Sequence, residues 1–152
     1  IVEASERLGR PVAFENVSAY VELGASEMSE AEFIREVATL ADCPILLDVN
    51  NAWVNAHNFD FDVMAWLATI PLERVVQLHV AGHEPWADGS TLLVDTHGAP
   101  TRAEVAALMA WVVERTGPLP VVLERDNAIP PLAELVAEVQ HLTPLYERAV
   151  DT

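Results

Sequence analysis

The sequence predicts an α/β fold with a parallel β-sheet, and three observations support this prediction. Short apolar runs alternate with longer segments of helical periodicity along the whole chain. The apolar runs lack the polar alternation of a half-exposed strand, which is typical of parallel strands. No linker, internal repeat or low-complexity tract interrupts the pattern, so residues 1–152 are predicted to form one domain.

The first half of the chain contains three predicted strands. Its elements, in order, are a helix over residues 3–8 that ends at Gly9, a strand over 12–16, a helix after Ser29, a strand over 45–49, an asparagine-rich loop, a short helix near 62–68 and a strand over 75–80. Ser29 and Glu32 have the spacing of a capping box, which marks the start of a helix. The predicted apolar face of this helix consists of Phe33, Ile34, Val37 and Leu40.

The second half contains two further predicted strands. Its elements are a short strand over residues 92–94, a helix that begins after Thr101 and ends at Gly117, a strand over 121–123 and a closing helix from Pro131 through Leu142. Thr101 and Glu104 have the spacing of a second capping box. The predicted buried face of that helix consists of Val105, Leu108, Met109, Val112 and Val113.

Two architectures fit this order of elements: an open doubly wound sheet and part of a β/α barrel. No glycine-rich phosphate loop follows any predicted strand, which disfavours the nucleotide-binding doubly wound sheet. A complete barrel needs eight strands and roughly 250 residues, whereas the sequence shows four to five β/α units. We therefore expect the carboxy-terminal part of a barrel, with the amino-terminal strands absent.

Composition excludes some classes of partner. The net charge of −16 disfavours nucleic acid, because few cations are present to neutralise phosphates. No apolar run is long enough for a membrane span, and no secretion signal opens the chain. The single cysteine, Cys43, cannot form an internal disulfide, which fits a reducing compartment. The expected location is therefore the cytoplasm.

Polar residues end the predicted strands, often as pairs two positions apart. They are Glu15 at the end of the first strand, Asp48 and Asn50 at the end of the second, Gln77 and His79 in the third, Asp95 and His97 at the end of the fourth, and Glu124 and Asp126 at the end of the last. Residues i and i+2 of a strand share a face, and the active sites of parallel α/β folds lie at the carboxyl edge of the sheet. Each pair alone could be a solvated or capping group, with Arg125 as a partner for Asp126, but the repetition predicts one shared site.

The residue types of this predicted site favour metal ions. Carboxylates and imidazoles without thiolates suit iron, manganese or zinc. Several ionised carboxylates in one cavity repel one another, and cations remove that penalty. Because one carboxylate can bridge two ions, the pattern suggests more than one metal.

Other polar residues are predicted to lie outside the site. His57 is interpreted as a loop residue, His141 as a surface residue, Cys43 as a packing residue, and Trp66 and Trp111 as core residues. Asn50, Asn51 and Asn55 could hold the asparagine-rich loop by local hydrogen bonds, and one of them could face substrate. His83 could be a ligand or a hydrogen-bond donor.

Five strings occur in order at these strand ends. They are Glu15-Asn16-Val17-Ser18 with Tyr20, Leu47-Asp48-Val49-Asn50-Asn51, His79-Val80-Ala81-Gly82-His83, Val94-Asp95-Thr96-His97-Gly98 and Leu123-Glu124-Arg125-Asp126. Together they resemble the carboxy-terminal half of the multinuclear non-haem iron-dependent oxidative enzymes, domain-of-unknown-function family 692. The resemblance runs through nearly all of the chain.

The resemblance implies a triosephosphate-isomerase-type barrel of the xylose isomerase-like group. It also implies two or three iron ions of mixed valence, with dioxygen as co-substrate. Members of the family oxidise a cysteine, or a residue near it, in a ribosomally made precursor peptide, together with a partner protein that recognises the leader of that peptide. Additional histidine ligands come from the first strands, which this chain lacks.

The resemblance also implies roles for individual residues. Glu15 matches the carboxylate that bridges two irons. The other matching ligands are Asp48, His79, His83, Asp95, His97 and Glu124, and the residues that match catalytic positions are Asn50 and Asp126.

Other functions remain open at this level. Xylose isomerase-like barrels include divalent-metal sugar isomerases and metal-dependent hydrolases with similar ligands, and a metal-free binding scaffold is a third reading. The chain alone is expected to associate with itself or to aggregate, since unpaired apolar strands recruit other chains. It is also expected to bind iron weakly.

Overall fold

The structure is a computed structural model that describes residues 1–21, 24 and 26–152. Its elements are α1 (Val2–Leu8), β1 (Phe14–Glu15), α2 (Glu30–Leu40), β2 (Ile45–Asp48), α3 (Val49–Phe59), α4 (Val63–Thr69), a 3₁₀ turn (Leu72–Arg74), β3 (Val75–Val80), β4 (Glu84–Pro85), β5 (Leu93–Val94), α5 (Ala103–Thr116), β6 (Val121–Leu123) and α6 (Leu132–Val150). Strands and helices alternate, as the sequence predicts.

Four strands form a parallel sheet in the order β1-β2-β3-β6. The order does not reverse among the described strands, and each new strand adds to the same side of the sheet. This winding is compatible with part of a β/α barrel. The chain therefore has a mixed α/β fold with a mostly parallel sheet.

Helices α2 to α6 cover one face of this sheet. Strand residues such as Ile45, Leu47 and Leu78 are fully buried there, in one cluster with Val105 and Val112 of α5. The opposite face is different, because side chains alternate along a strand. It presents Glu15, Leu46, Asp48, Gln77, His79, Val122 and Glu124. This second face is partly open to solvent, and Val122 on it is 38% exposed.

The predicted helix boundaries are confirmed at several points and wrong at others. Gly9 and Gly117 both end helices with positive φ, at 65° and 76°. The Ser29–Glu32 capping box is present in both directions. The Thr101–Glu104 box is absent, because α5 begins after Arg102, and the amide of Thr101 donates instead to Glu138 Oε1 at 2.6 Å.

The buried face of α2 also differs from the prediction. Ile34 is buried, but Phe33 is 56% exposed and Leu40 is 82% exposed. Ala31 and Ala38 take their place, since they lie on the same side of the helix as Ile34. The predicted face contains only large side chains, whereas two alanines supply most of the buried face. The face predicted for α5 is confirmed, as all five of its residues are buried.

Two predictions of local structure, one of a loop and one of a strand, are corrected. The asparagine-rich segment is a helix, α3, whose amino terminus is capped by Asp48. The predicted strand near residue 93 does not join the parallel sheet. It pairs antiparallel with β4 as a separate hairpin. Asn58 of α3 holds this hairpin, with its amide bonded to both the N–H and the carbonyl of Leu93 at 2.9 Å.

Other element boundaries move by a few residues. The first strand is limited to two residues, and α6 continues past Leu142 through Pro144 to Val150. No described helix is both long and apolar enough to cross a bilayer.

Candidate metal centre

The carboxyl edge of the parallel sheet brings together most of the predicted site residues. Two groups of side chains have potential ligand atoms within 4.8 Å of one another. The first consists of Glu15, Asp48 and His79, and the second of Asp48, His97 and Glu124. Asp48 belongs to both groups, so the two potential metal positions adjoin.

Three hydrogen bonds, two with Asn16 and one with Asn51, hold Asp48 in place. Its Oδ1 atom accepts the amide of Asn51 at 2.8 Å and so caps α3. Its own backbone is paired with Asn16, whose side chain bonds both the N–H and the carbonyl of Asp48 at 2.9 Å. The other carboxylate oxygen, Oδ2, is buried and has no hydrogen-bond partner among the described residues. This atom is therefore free to bind a cation.

The two histidines at the site show a similar arrangement. His79 Nδ1 lies 3.1 Å from Glu15 Oε1 and 3.0 Å from Glu124 Oε1. His97 Nε2 lies 2.8 Å from Asp95 Oδ1. Neither nitrogen has hydrogen-bond geometry with these oxygens, and both are buried without another partner in the described part of the chain. Buried donor atoms that lie close together without a hydrogen bond are suited to bind one cation.

Asp126 contacts the second ring nitrogen of His97. The distance from His97 Nδ1 to Asp126 Oδ2 is 3.1 Å, with hydrogen-bond geometry. Since a carboxylate only accepts, this bond places a proton on Nδ1. Arg125, considered above as an alternative partner for Asp126, has another partner. It forms a 3.1 Å ion pair with Glu138 of α6.

Asn50 and His83 lie beside the site, outside both ligand groups. Asn50 Nδ2 donates to Asp95 Oδ1 at 2.7 Å, and its Oδ1 lies 2.8 Å from His83 Nδ1. Both residues are buried. The amide therefore links His83 to Asp95, and its orientation places the His83 proton on Nδ1. His83 therefore contacts the Asn50 amide rather than either ligand group.

The residues predicted to lie outside the site have defined positions. His57 lies on α3, where its Nε2 contacts the carbonyl of Thr91 at 2.8 Å. His141 is exposed on α6, Cys43 is buried, and Trp66 is 6% exposed. Asn51 and Asn55 hold the segment after β1, because their amides donate to Asn16 O and Val17 O.

Sequence reasoning did not assign a role to Gln77, Asn16 or Asn58. Gln77 lies on the same face of β3 as His79, and their side chains are 2.9 Å apart. Its signal was a polar residue inside an otherwise apolar strand, two positions before a histidine. Asn16 and Asn58 each bond both backbone groups of one residue on another segment, which no local pattern reveals.

Burial and charge perturb the acids of this edge. Burial raises the pKa of Asp48 from 3.8 to about 7, and the Asn51 amide only partly offsets it. Burial also raises the pKa values of Glu15 and Asp95. The charges of the nearby histidines lower these pKa values, but by less than burial raises them. Burial alone would lower the pKa of His97, but Asp95 and Asp48 outweigh it and hold that pKa above its usual value. Burial thus makes the ionisation of these acids less favourable, and a cation would offset that cost.

The raised pKa of Asp48 predicts a pH dependence of the metal-free protein. The folded state binds the proton more tightly than the unfolded state, so the stabilisation is complete below pH 3.8 and is lost as the pH rises to about 7. After chelation, the free energy of unfolding of the full-length protein should therefore fall as the pH rises from 3.8 to about 7. Urea unfolding measures it, and Asp48→Asn should make the slope shallower. An equal slope in both proteins would contradict this assignment.

Comparison with known proteins supports a family assignment. The sequence model described as the RiPP precursor modification enzymes MbnB/TglH/ChrH matches residues 1–147. The chain belongs to this family. It is the family identified above from the five strand-end strings.

Curated relatives carry the name UPF0276 protein. One from Pseudomonas aeruginosa PAO1 is 46% identical over 142 residues, covering 93% of this chain and 49% of the relative. One from Anaeromyxobacter sp. Fw109-5 is 49% identical over 138 residues, covering 91% and 48%. One from Shewanella amazonensis is 41% identical over 152 residues, covering 100% and 54%. The chain thus spans about half the length of the relatives it matches.

Proposed function

We propose that the full-length protein is a multi-iron, dioxygen-dependent oxidase or oxygenase that modifies a ribosomally made precursor peptide, with a cysteine as the expected target. Membership of a family of precursor modification enzymes supports the peptide substrate. The observation that supports the metal centre is the pair of ligand groups joined at Asp48. Two positions that share a carboxylate suit adjacent ions.

The residues present are suited to iron. The donors are carboxylate oxygens and imidazole nitrogens, which suit a first-row divalent metal and include no thiolate. Three donor atoms, on Asp48, His79 and His97, are buried without a hydrogen-bond partner among the described residues. Such atoms are costly unless a ligand satisfies them.

Each side chain would have a distinct task at this centre. Glu15, Asp48 and His79 would hold one ion, and Asp48, His97 and Glu124 a second, with Asp95 adjoining His97. Bound iron would supply redox chemistry and dioxygen activation. Glu124 lies between the two histidines, with Oε1 3.0 Å from His79 Nδ1 and Oε2 3.3 Å from His97 Nδ1.

Asn50, His83 and Asp126 would orient ligands rather than bind iron directly. Asn50 fixes one oxygen of Asp95, and the buried His83 fixes Asn50. Asp126 holds the proton on His97 Nδ1, which leaves Nε2 as the donor atom toward the metal. Partners of this kind set the tautomer and orientation of a histidine ligand.

The remainder of the proposed enzyme lies outside this chain. We propose that the chain is the carboxy-terminal part of a triosephosphate-isomerase-type barrel, whose other strands supply further histidine ligands. A partner protein would recognise the peptide leader. Without those strands, the 152-residue chain is expected to associate with itself and to bind iron weakly.

Metal analysis of the full-length protein, purified without air, tests the proposal. Two or three irons per protein, a paramagnetic mixed-valence signal and iron-dependent oxygen consumption with peptide present are the expected results. Activity with zinc or magnesium and without iron would favour a hydrolase or a sugar isomerase instead. A folded protein that binds no metal would favour a binding scaffold.

A further inference from the structure

The two ring nitrogens of His79 have different surroundings. Nδ1 is buried between the carboxylates of Glu15 and Glu124 and makes no hydrogen bond among the described residues. Nε2 lies 2.9 Å from the side-chain amide nitrogen of Gln77. Both side chains project from the same face of β3, because they are two residues apart.

A metal at the Glu15–Asp48–His79 group determines which nitrogen carries the proton. The metal would bind Nδ1, since that atom faces the carboxylates. A ligating nitrogen has no proton, so Nε2 must carry it in the neutral ring. Nε2 is then a donor, and the atom beside it must be an acceptor.

We propose that Gln77 is a positioning residue that accepts this proton through its Oε1 atom and so presents His79 Nδ1 to the metal. The inference rests on the proposed metal centre. It requires the Gln77 amide to be rotated by half a turn, so that oxygen replaces nitrogen next to His79. The nitrogen and oxygen of an amide have nearly the same shape, and only the hydrogen-bond network distinguishes them. The Gln77 amide makes no other hydrogen bond within the described part of the chain, so nothing there opposes the rotation.

His97 provides the contrast that makes the assignment specific. Its Nδ1 donates to Asp126, and its buried Nε2 is the atom left for a metal. The two histidines therefore bind through opposite ring nitrogens. Each has its own acceptor behind it, an amide oxygen for His79 and a carboxylate for His97.

Zinc affinity of the full-length protein gives the first test. Gln77→Met keeps the size of the side chain but removes the acceptor, and we expect about 10- to 100-fold weaker binding of Zn(II). Gln77→Glu can only accept, so it should bind zinc at least as tightly as the unchanged protein. The matched control is Gln140→Met on the exposed surface of α6, which should leave affinity unchanged. Unchanged affinity in Gln77→Met would overturn the proposal.

Nitrogen NMR of the zinc-loaded full-length protein gives the second test, since Zn(II) is diamagnetic. The expected spectrum has a protonated Nε2 and a metal-bound Nδ1 for His79, and the reverse for His97. A proton on Nδ1 of His79 would overturn the role of Gln77 even where zinc is bound. The proposed function fails separately, through absence of iron dependence, and a protein that binds neither zinc nor iron would refute both.

Discussion

Replacing Asp48 by asparagine should remove metal from the full-length protein without unfolding it. The carboxylate belongs to both ligand groups, so its loss weakens two metal positions at once. Asparagine is as good a helix cap as aspartate, and its side-chain oxygen can still accept the Asn51 amide. We expect the affinity for each ion to fall about 10-fold or more. The loss of a partner that only orients a ligand already costs about 10- to 100-fold.

Elemental analysis after anaerobic purification measures the result, with circular dichroism to confirm folding. The matched control is Asp62→Asn, because Asp62 caps α4 in the same way but lies at an exposed position away from the site. Metal content should fall in Asp48→Asn alone. Equal metal content in the two variants would remove Asp48 from the centre.

Gly82→Ala should both destabilise the protein and disorder the site. A Cβ atom on Gly82 would lie 2.0 Å from the carbonyl oxygen of Ala99 and 2.7 Å from that of Pro100. These are backbone atoms, so the two segments would have to separate. The carbonyl of Gly82 also accepts the amide of His97 at 3.0 Å. Overpacking of this kind costs about 3 kcal/mol, and we expect metal content to fall with it.

Urea unfolding and metal analysis of the full-length variant test this expectation. Gly98→Ala is the matched control, because its nearest new contact is the flexible carboxylate of Glu84 at 3.3 Å. The control should change stability by less than about 1 kcal/mol. If both variants were equally stable, the close contact at Gly82 would not limit the fold.

The helices and strands with strong local signals could be predicted from sequence. Ser29 and Glu32 mark the start of α2, and the five apolar residues of α5 define its buried face. Thr101 has the same spacing from Glu104 but makes no cap, because Glu138 of the distant helix α6 takes its amide. Asparagine favours loops, yet the cap by Asp48 and the packing of α3 override that preference.

The site was predictable as a set of residues but not as a set of contacts. Parallel strands bring their carboxyl ends to one edge, so the clustering of Asp48, His79 and Glu124 follows from topology. The reach of Asn50 from α3 to Asp95 depends on the helix that sequence reasoning had treated as a loop. The pairing of Arg125 with Glu138 rather than Asp126 depends on the packing of α6, which carries Glu138.

His97 has a left-handed backbone conformation, with φ of 49°. A non-glycine residue holds such a conformation only where its surroundings impose it. Here its amide bonds Gly82 O, and its carbonyl accepts the amides of Asp126 and Asn127 at 3.1 and 3.4 Å. These bonds all join backbone atoms, so the polypeptide itself fixes the position of His97. The proposed metal would then bind a side chain whose backbone is already positioned, in contrast to a zinc finger, whose polypeptide folds only around its ion.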